Sequence, residues 1–341
     1  MQKAASFFIV FAAVIAALIL GQNLLLPLLF ALLLWVLLRG VKLVLDKNDW
    51  IKDNVPSWLK NLSVSALFFF ILAAISKVLS INIKILANSY KKYESNINET
   101  TAQLNSFFDI NIAELIKSNT ESIDFNYVLS ALFNSFSDII SNVFMVSIYF
   151  LFIILEEKHF KHKMAVLFTH DEEEHNKVTA LLEKMENAVI QYLGLKTLVS
   201  IFTGFISYFV FAYVGIDAPV FWAFLIFLFN YIPTIGSIVG TFFPAIFCLL
   251  QFGSFTEGAI VLFGMGSIQV LIGNIIEPKI MGNTLNLSPL VAIFSLTFWG
   301  VMWGVTGMIM SIPITVILII VMAQFKSTRS IAVLLSEDGK V

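Results

Sequence analysis

Charge is almost absent from two long parts of this sequence. Residues 4–38 contain no Asp, Glu, Lys or Arg, and residues 197–325 contain only Asp217, Glu257, Glu277 and Lys279. A folded chain in water must carry charge over its surface, and soluble domains hold about 25% charged residues. This 341-residue chain has 13%, against 58% hydrophobic residues. A bilayer removes the need for a charged surface. The pattern therefore predicts an all-α, polytopic transmembrane helical bundle in which each helix satisfies its own backbone hydrogen bonds. The net charge of −2 gives no support to nucleic-acid binding, and no basic stripe, zinc pattern or RNA-binding motif is present.

A span needs roughly 20 mostly apolar residues. The first four candidates are Ala4–Leu20, Leu24–Leu38, Asn61–Ile83 and Ser137–Leu155. Lys3 before an apolar run resembles a signal peptide. However, the chain is apolar again after Gly21-Gln22-Asn23, so two spans joined by a tight turn fit better. Residues 84–138 form a polar, Asn- and Ser-rich insert with Ile112, Leu115 and Ile116 at helical intervals. They read as extracytoplasmic amphipathic helices. The second polar block, 156–196, has Asp171 and acidic residues at 172–174 where a helix should start. Val178, Leu181, Leu182, Met185, Val189 and Tyr192 give that helix one apolar face, an interfacial elbow leading into the next span.

The resulting divisions are 1–83 (N-terminal spans), 84–138 (insert), 139–196 (span and elbow), 197–325 (transport region) and 326–341 (cytoplasmic tail). Lys and Arg counts orient them. With the N-terminus inside, loop 39–60 gives the cytoplasm Arg39, Lys42, Lys47, Lys52 and Lys60, and block 156–196 gives it six lysines. Both termini read as cytoplasmic. After Lys196 apolar pieces fall at 197–214, 218–232, 236–252, 257–276, 288–303 and 304–325, separated by Gly, Pro and Asn rather than charge. Ten spans result if all six cross, and eight if two enter and leave on one side.

Three places in the C-terminal part carry chemistry. In Asn230-Tyr231-Ile232-Pro233-Thr234-Ile235-Gly236-Ser237, with Gly240 and Pro244 beyond, Pro233 removes a backbone donor. Gly236 and Gly240 permit close approach or unwinding. Asn230, Thr234 and Ser237 are suited to satisfying freed backbone groups or binding a solute. A second broken stretch runs from Gly300 through Gly304 and Gly307 to Pro313. Gly/Pro-interrupted segments of this kind point to transporter sites, although Gly-xxx-Gly pairs also serve plain helix packing. Between them lies Asn274-Ile275-Ile276-Glu277-Pro278-Lys279. A membrane-embedded carboxylate is costly, so Glu277 is a functional candidate. The alternative is an interfacial Glu277–Lys279 pair that orients a loop. Asp217 and Glu257 read as loop-end residues, Cys248 as packing, and His159, His162, His170 and His175 as a solvated face rather than a metal site. No cofactor is implied. No nucleophile elbow, dinucleotide fingerprint or Walker A motif is present, so the reading is of a non-enzyme driven by a gradient.

Taken together, Asn230-Tyr231-Ile232-Pro233…Gly236…Gly240…Pro244 and Asn274…Glu277-Pro278…Met281-Gly282…Leu285-Asn286-Leu287-Ser288-Pro289-Leu290 resemble the signatures of the autoinducer-2 exporter family of bacterial permeases. The resemblance covers nearly the whole chain. The family usually has a His where this sequence has Ser288. It implies about eight spans, an inner-membrane location and homo-oligomers. It also implies export of autoinducer-2 or, for some members, Na⁺(Li⁺)/H⁺ antiport. Three functions are therefore carried forward: efflux of a small polar solute, cation/proton antiport through Glu277 with Asn230 and Asn274 as oxygen donors, and a non-transporting membrane scaffold or sensor that uses the insert.

Overall fold

The computed structural model describes residues 2–89, 143–157, 172–281 and 286–339, with the single positions 93, 96, 159, 160, 163 and 166. Most of the insert therefore lies outside the described residues, as do Gly282, Asn283 and Leu285 of the second signature and His162 and His170. Among the described residues the regular elements are all helical. Six of these helices are long and apolar enough to cross a membrane, which makes this a multi-pass membrane protein.

The N-terminal helices are α1 (Gln2–Leu20), α2 (Gln22–Leu45), α3 (Asp49–Asn54) and α4 (Ser57–Asn88). At Gly21 (φ −84°, ψ 2°) α1 gives way to α2. A further helical stretch covers 143–157. The elbow and the span after it are one unbroken helix, α5 (Glu172–Val214), 43 residues long. At 1.5 Å per residue it extends ~65 Å, about twice the hydrocarbon thickness. On its N-terminal part Val189 and Tyr192 are buried while Lys177, Glu183 and Lys184 are exposed, which is the amphipathic pattern read from the sequence.

Then follow α6 (Pro219–Phe229), α7 (Ile235–Phe252), α8 (Phe255–Leu271), a π-turn over Ile272–Ile276, α9 (Glu277–Met281), α10 (Pro289–Gln324) and α11 (Arg329–Leu335). Two of the breaks are reversals. Across α6 and α7, Ile226 touches Gly240 and the Trp222 and Phe247 rings lie 4.8 Å apart. These pairings run in opposite directions, so α6 and α7 form a hairpin. Gly236 seats on the Phe229 carbonyl, leaving no room for a Cβ.

The element α10 is likewise two antiparallel legs. Trp303 and Gly304 leave helical geometry, with Gly304 at φ 61° and ψ −145°, a region essentially reserved for glycine. Trp299 Nε1 donates to Thr315 Oγ1 at 3.2 Å. Along a straight helix residues 16 apart would lie ~24 Å from each other. Gly307 sits on the Trp299 carbonyl as Gly236 does on that of Phe229. The leg 289–302 is ~21 Å long, too short for a ~30 Å hydrocarbon core.

The chain divides into two compact units. One is drawn from Met1–Ser65, Ile139–Gly194 and Asn283–Val341, the other from Ala66–Asp138 and Leu195–Gly282. In the first, Trp299, Met302 and Trp303 pack with Leu18, Leu25, Leu26 and Leu29 at the α1–α2 junction, and Trp303 Nε1 donates to the Leu18 carbonyl at 3.0 Å. Trp299 and Trp303 are thus packing residues. Arg39 pairs with Glu186 and lies over the Trp35 ring. In the second unit the core gathers Phe211, Phe221, Ile226, Phe247, Cys248, Val261 and Met265. Tyr93 belongs to it, and its hydroxyl donates to Asp217 Oδ2 at 2.6 Å.

Candidate functional site

The site is built on the second half of α5. Lys196, Ser200, Thr203 and Ser207 follow one another at i, i+4, i+7 and i+11, the spacing of a single helix face, and all four are buried. The neighbouring apolar residues Leu198, Ile201, Phe202 and Phe205 are exposed, as they should be on a lipid-facing side. A polar face therefore points inward and an apolar one outward, the reverse of a soluble helix.

The hairpin α6–α7 brings Asn230 to this face. Its amide donates to Ser200 Oγ at 3.1 Å and to Thr203 Oγ1 at 3.5 Å. The adjacent Tyr231 hydroxyl lies 2.7 Å from Thr197 Oγ1. Asn230 can reach because the chain leaves helical geometry here. α6 ends at Phe229 with Asn230 as its C-cap, Pro233 has no backbone N–H with which to resume the helix, and Thr234 takes φ 60°, a conformation an L-residue with a side chain seldom adopts. Of the residues singled out in this stretch, Asn230 and Gly236 are buried, Pro233 and Ser237 half-buried, and Thr234 exposed.

The π-turn brings Glu277 to the other end of the face. Its backbone N–H bonds to the Ile272 carbonyl, five residues back. Its carboxylate pairs with Lys196, whose side chain is 5% exposed against 20% for Glu277. The sequence left open a Glu277–Lys279 pair as the alternative reading. The structure instead pairs Glu277 with a residue 81 positions away and leaves Lys279 exposed, along with Asn274 and Pro278. The reason is helical direction: residues two apart point away from each other. Gly304 and Pro313 belong to the other compact unit, where Gly304 forms the tip of the α10 hairpin and Pro313 is buried in its longer leg.

Sequence reasoning missed Lys196, Ser200, Thr203 and Ser207. Lys196 counted there only toward membrane orientation. The available signal was their 4-3-4 spacing inside an apolar run. Asp217 stands at the loop between α5 and α6 as expected, with its backbone N–H bonded to Gln251 Oε1 at 2.6 Å. Glu257 lies in the first turn of α8, where the macrodipole favours an anion. Among the described residues no group of three or more His, Cys, Asp or Glu is arranged to hold a metal.

The family described as AI-2E family transporter matches residues 8–327. A protein of Haemophilus influenzae, named as a candidate transport protein, is 32% identical over 291 residues, covering 83% of each chain. The Escherichia coli protein named AI-2 transport protein TqsA is 37% identical over 213 residues, 62% of this chain and 60% of its own. A Borreliella burgdorferi protein, also named as a candidate transport protein, is 41% identical over 155 residues, 45% of this chain and 43% of its own.

Proposed function

The chain belongs to the AI-2E family of transporters, and from that premise we propose that it is a gradient-driven permease exporting a small polar solute of the autoinducer-2 kind. The carrying observation is the buried polar face of α5 meeting Asn230 at the break in the α6–α7 hairpin. Polar groups are expensive in an apolar surround and persist where function uses them. Asn230, Thr234, Ser237 and Asn274 are the groups suited to contact the solute. Pro233, Gly236 and Pro278 shape the backbone there, and Gly304 and Pro313 shape the second hairpin. The E. coli relative's name, AI-2 transport protein, supports the solute class. The protein works in the cytoplasmic (inner) membrane as a homo-oligomer, with both termini in the cytoplasm. Everted vesicles carrying the chain are expected to accumulate autoinducer-2 under a proton or Na⁺ gradient, and Asn230→Leu to remove that accumulation. Vesicles that move no member of a small-polar-solute panel under any ion gradient would refute the reading.

One observation favours a second reading, Na⁺(Li⁺)/H⁺ antiport: the Lys196–Glu277 pair, a carboxylate inside the apolar region with a single cationic partner. Asn230 and Asn274 would lend oxygen atoms. Na⁺-dependent proton movement, followed by a pH-sensitive dye in the same vesicles, tests it. Activity unchanged in Glu277→Gln would remove this residue from the mechanism.

A further inference from the structure

Gln269 lies on α8 and is 7% exposed, yet among the described residues its carbonyl oxygen Oε1 has no hydrogen-bond partner. Its amide nitrogen abuts Gly240 in the long leg of the α6–α7 hairpin, 3.7 Å from where a Cβ there would stand. A buried acceptor without a donor is destabilising, so its retention calls for an explanation.

Its position along the bundle supplies one. Gly264 of α8 faces Val210 of α5, and Glu277 pairs with Lys196. The two helices therefore run antiparallel, and Gln269 falls level with the stretch between Thr203 and Ser207. Those two hydroxyls do not serve it. Each spends its only proton on a carbonyl of its own helix, Val199 for Thr203 and Thr203 for Ser207.

The π-turn sets the register. Glu277 follows Gln269 by eight residues. In an uninterrupted α-helix eight steps of 100° leave two side chains ~80° apart. A π-turn accommodates one extra residue, so eight residues advance as seven do, within ~20° of two full turns. The turn at Ile272–Ile276 thus brings Gln269 onto the face of Glu277, whose carboxylate pairs with Lys196 at the end of the polar stripe of α5.

We infer that Gln269 is a solute-binding residue of the same site, its Oε1 accepting a hydrogen bond from a hydroxyl or other neutral donor of the solute, and that the π-turn exists to align it with Glu277. This rests on the transport reading above and adds to it a residue and the polarity of one contact.

The test combines two variants with two readouts on the full-length protein. Gln269→Leu keeps the side-chain bulk and deletes the unpaired carbonyl. A residue kept for binding at a cost to the fold gives a variant with a raised Tm in detergent, by roughly 2 °C. The same variant should show a KM for autoinducer-2 raised about tenfold. Gln269→Glu, which keeps an acceptor, should retain more transport than Gln269→Leu. A lowered Tm in Gln269→Leu would mark Gln269 as a packing residue and overturn the inference. So would an unchanged KM with the Tm raised. If wild-type vesicles carry no autoinducer-2, the transport reading fails on its own, and the sign of the Tm change still decides whether Gln269 is held in place at a cost.

Discussion

The Lys196–Glu277 pair allows a prediction whose size and asymmetry both follow from the structure. The Lys196 side chain is 5% exposed and the Glu277 side chain 20%, so each partner lacks solvent to replace the other. Removing one member of a buried pair costs about 3–5 kcal/mol, because the remaining charge is uncompensated. The two removals are not equivalent. Glu277→Gln strands the ammonium in the more enclosed position, whereas Lys196→Met strands a carboxylate that is nearer the surface. Glu277→Gln is therefore expected to lower Tm more than Lys196→Met. The double variant places a neutral amide beside an apolar side chain and strands no charge. Its loss should fall short of the sum of the single losses by at least ~2 kcal/mol. Thermal unfolding of the four purified proteins in one detergent closes this double-mutant cycle. Losses that add to within ~0.5 kcal/mol would mean that the two groups do not interact, and the pairing of α5 with α9 would have to be abandoned.

Gly236→Ala and Gly307→Ala each press a Cβ into a carbonyl, of Phe229 and Trp299 respectively, and should cut the folded yield in size-exclusion chromatography far more than Gly266→Ala, where a Cβ meets nothing within 4 Å. Gly304→Ala should also be harmful although space is open around it, because its φ of 61° with ψ −145° is strained for any side-chain-bearing residue. The Asn286 side chain accepts bonds from the backbone N–H groups of Glu337 and Asp338, both at 3.1 Å, and Ser288 N–H donates to the Leu335 carbonyl. Asn286→Gly, which tolerates the φ of 43° at that position, should therefore speed amide exchange at 338 about tenfold and less at 337, whose N–H also donates to the Asn286 backbone carbonyl, with little change in Tm. Burial and the Asp217 carboxylate hold the Tyr93 phenol above its ordinary pKa of 10. The folded state then binds this proton more tightly than the unfolded state, so the contribution to stability is intact below pH ~10 and is lost as pH rises beyond it. Wild-type Tm should drop more steeply above pH 10 than that of Tyr93→Phe, which starts lower by about 1.5–3 kcal/mol of stability.

Much of this architecture was legible because membrane helices are written in composition. The apolar runs at 4–20, 24–38 and 61–83 correspond to α1, α2 and α4, with Gly21 between the first two. The breaks at Pro233 and Gly304 were legible too, since proline and glycine act on the backbone locally. The apolar face of the elbow could be read from its 3.6-residue period. Continuity between elbow and span could not, because the boundary at Lys196 looks like a span end by charge alone. The partner of Lys196 lies 81 positions away, and no local pattern carries that information.

The sequence by itself determined that this chain lives in a bilayer, that it is helical, where its helices break, and to which family it belongs. These are properties of each segment and its solvent: transfer free energy accumulates residue by residue, and backbone constraints act within a turn. Tertiary structure alone decided what the breaks do and which polar groups meet. It folded 219–252 and 289–324 into hairpins, brought Asn230 to Ser200, and exchanged Lys279 for Lys196 as the partner of Glu277. A helix face gains meaning only when a second helix covers it, and the choice of partner depends on packing between segments far apart in the chain. The single extra residue of the π-turn, invisible in any hydropathy profile, turns Glu277 toward that partner and Gln269 onto the same face.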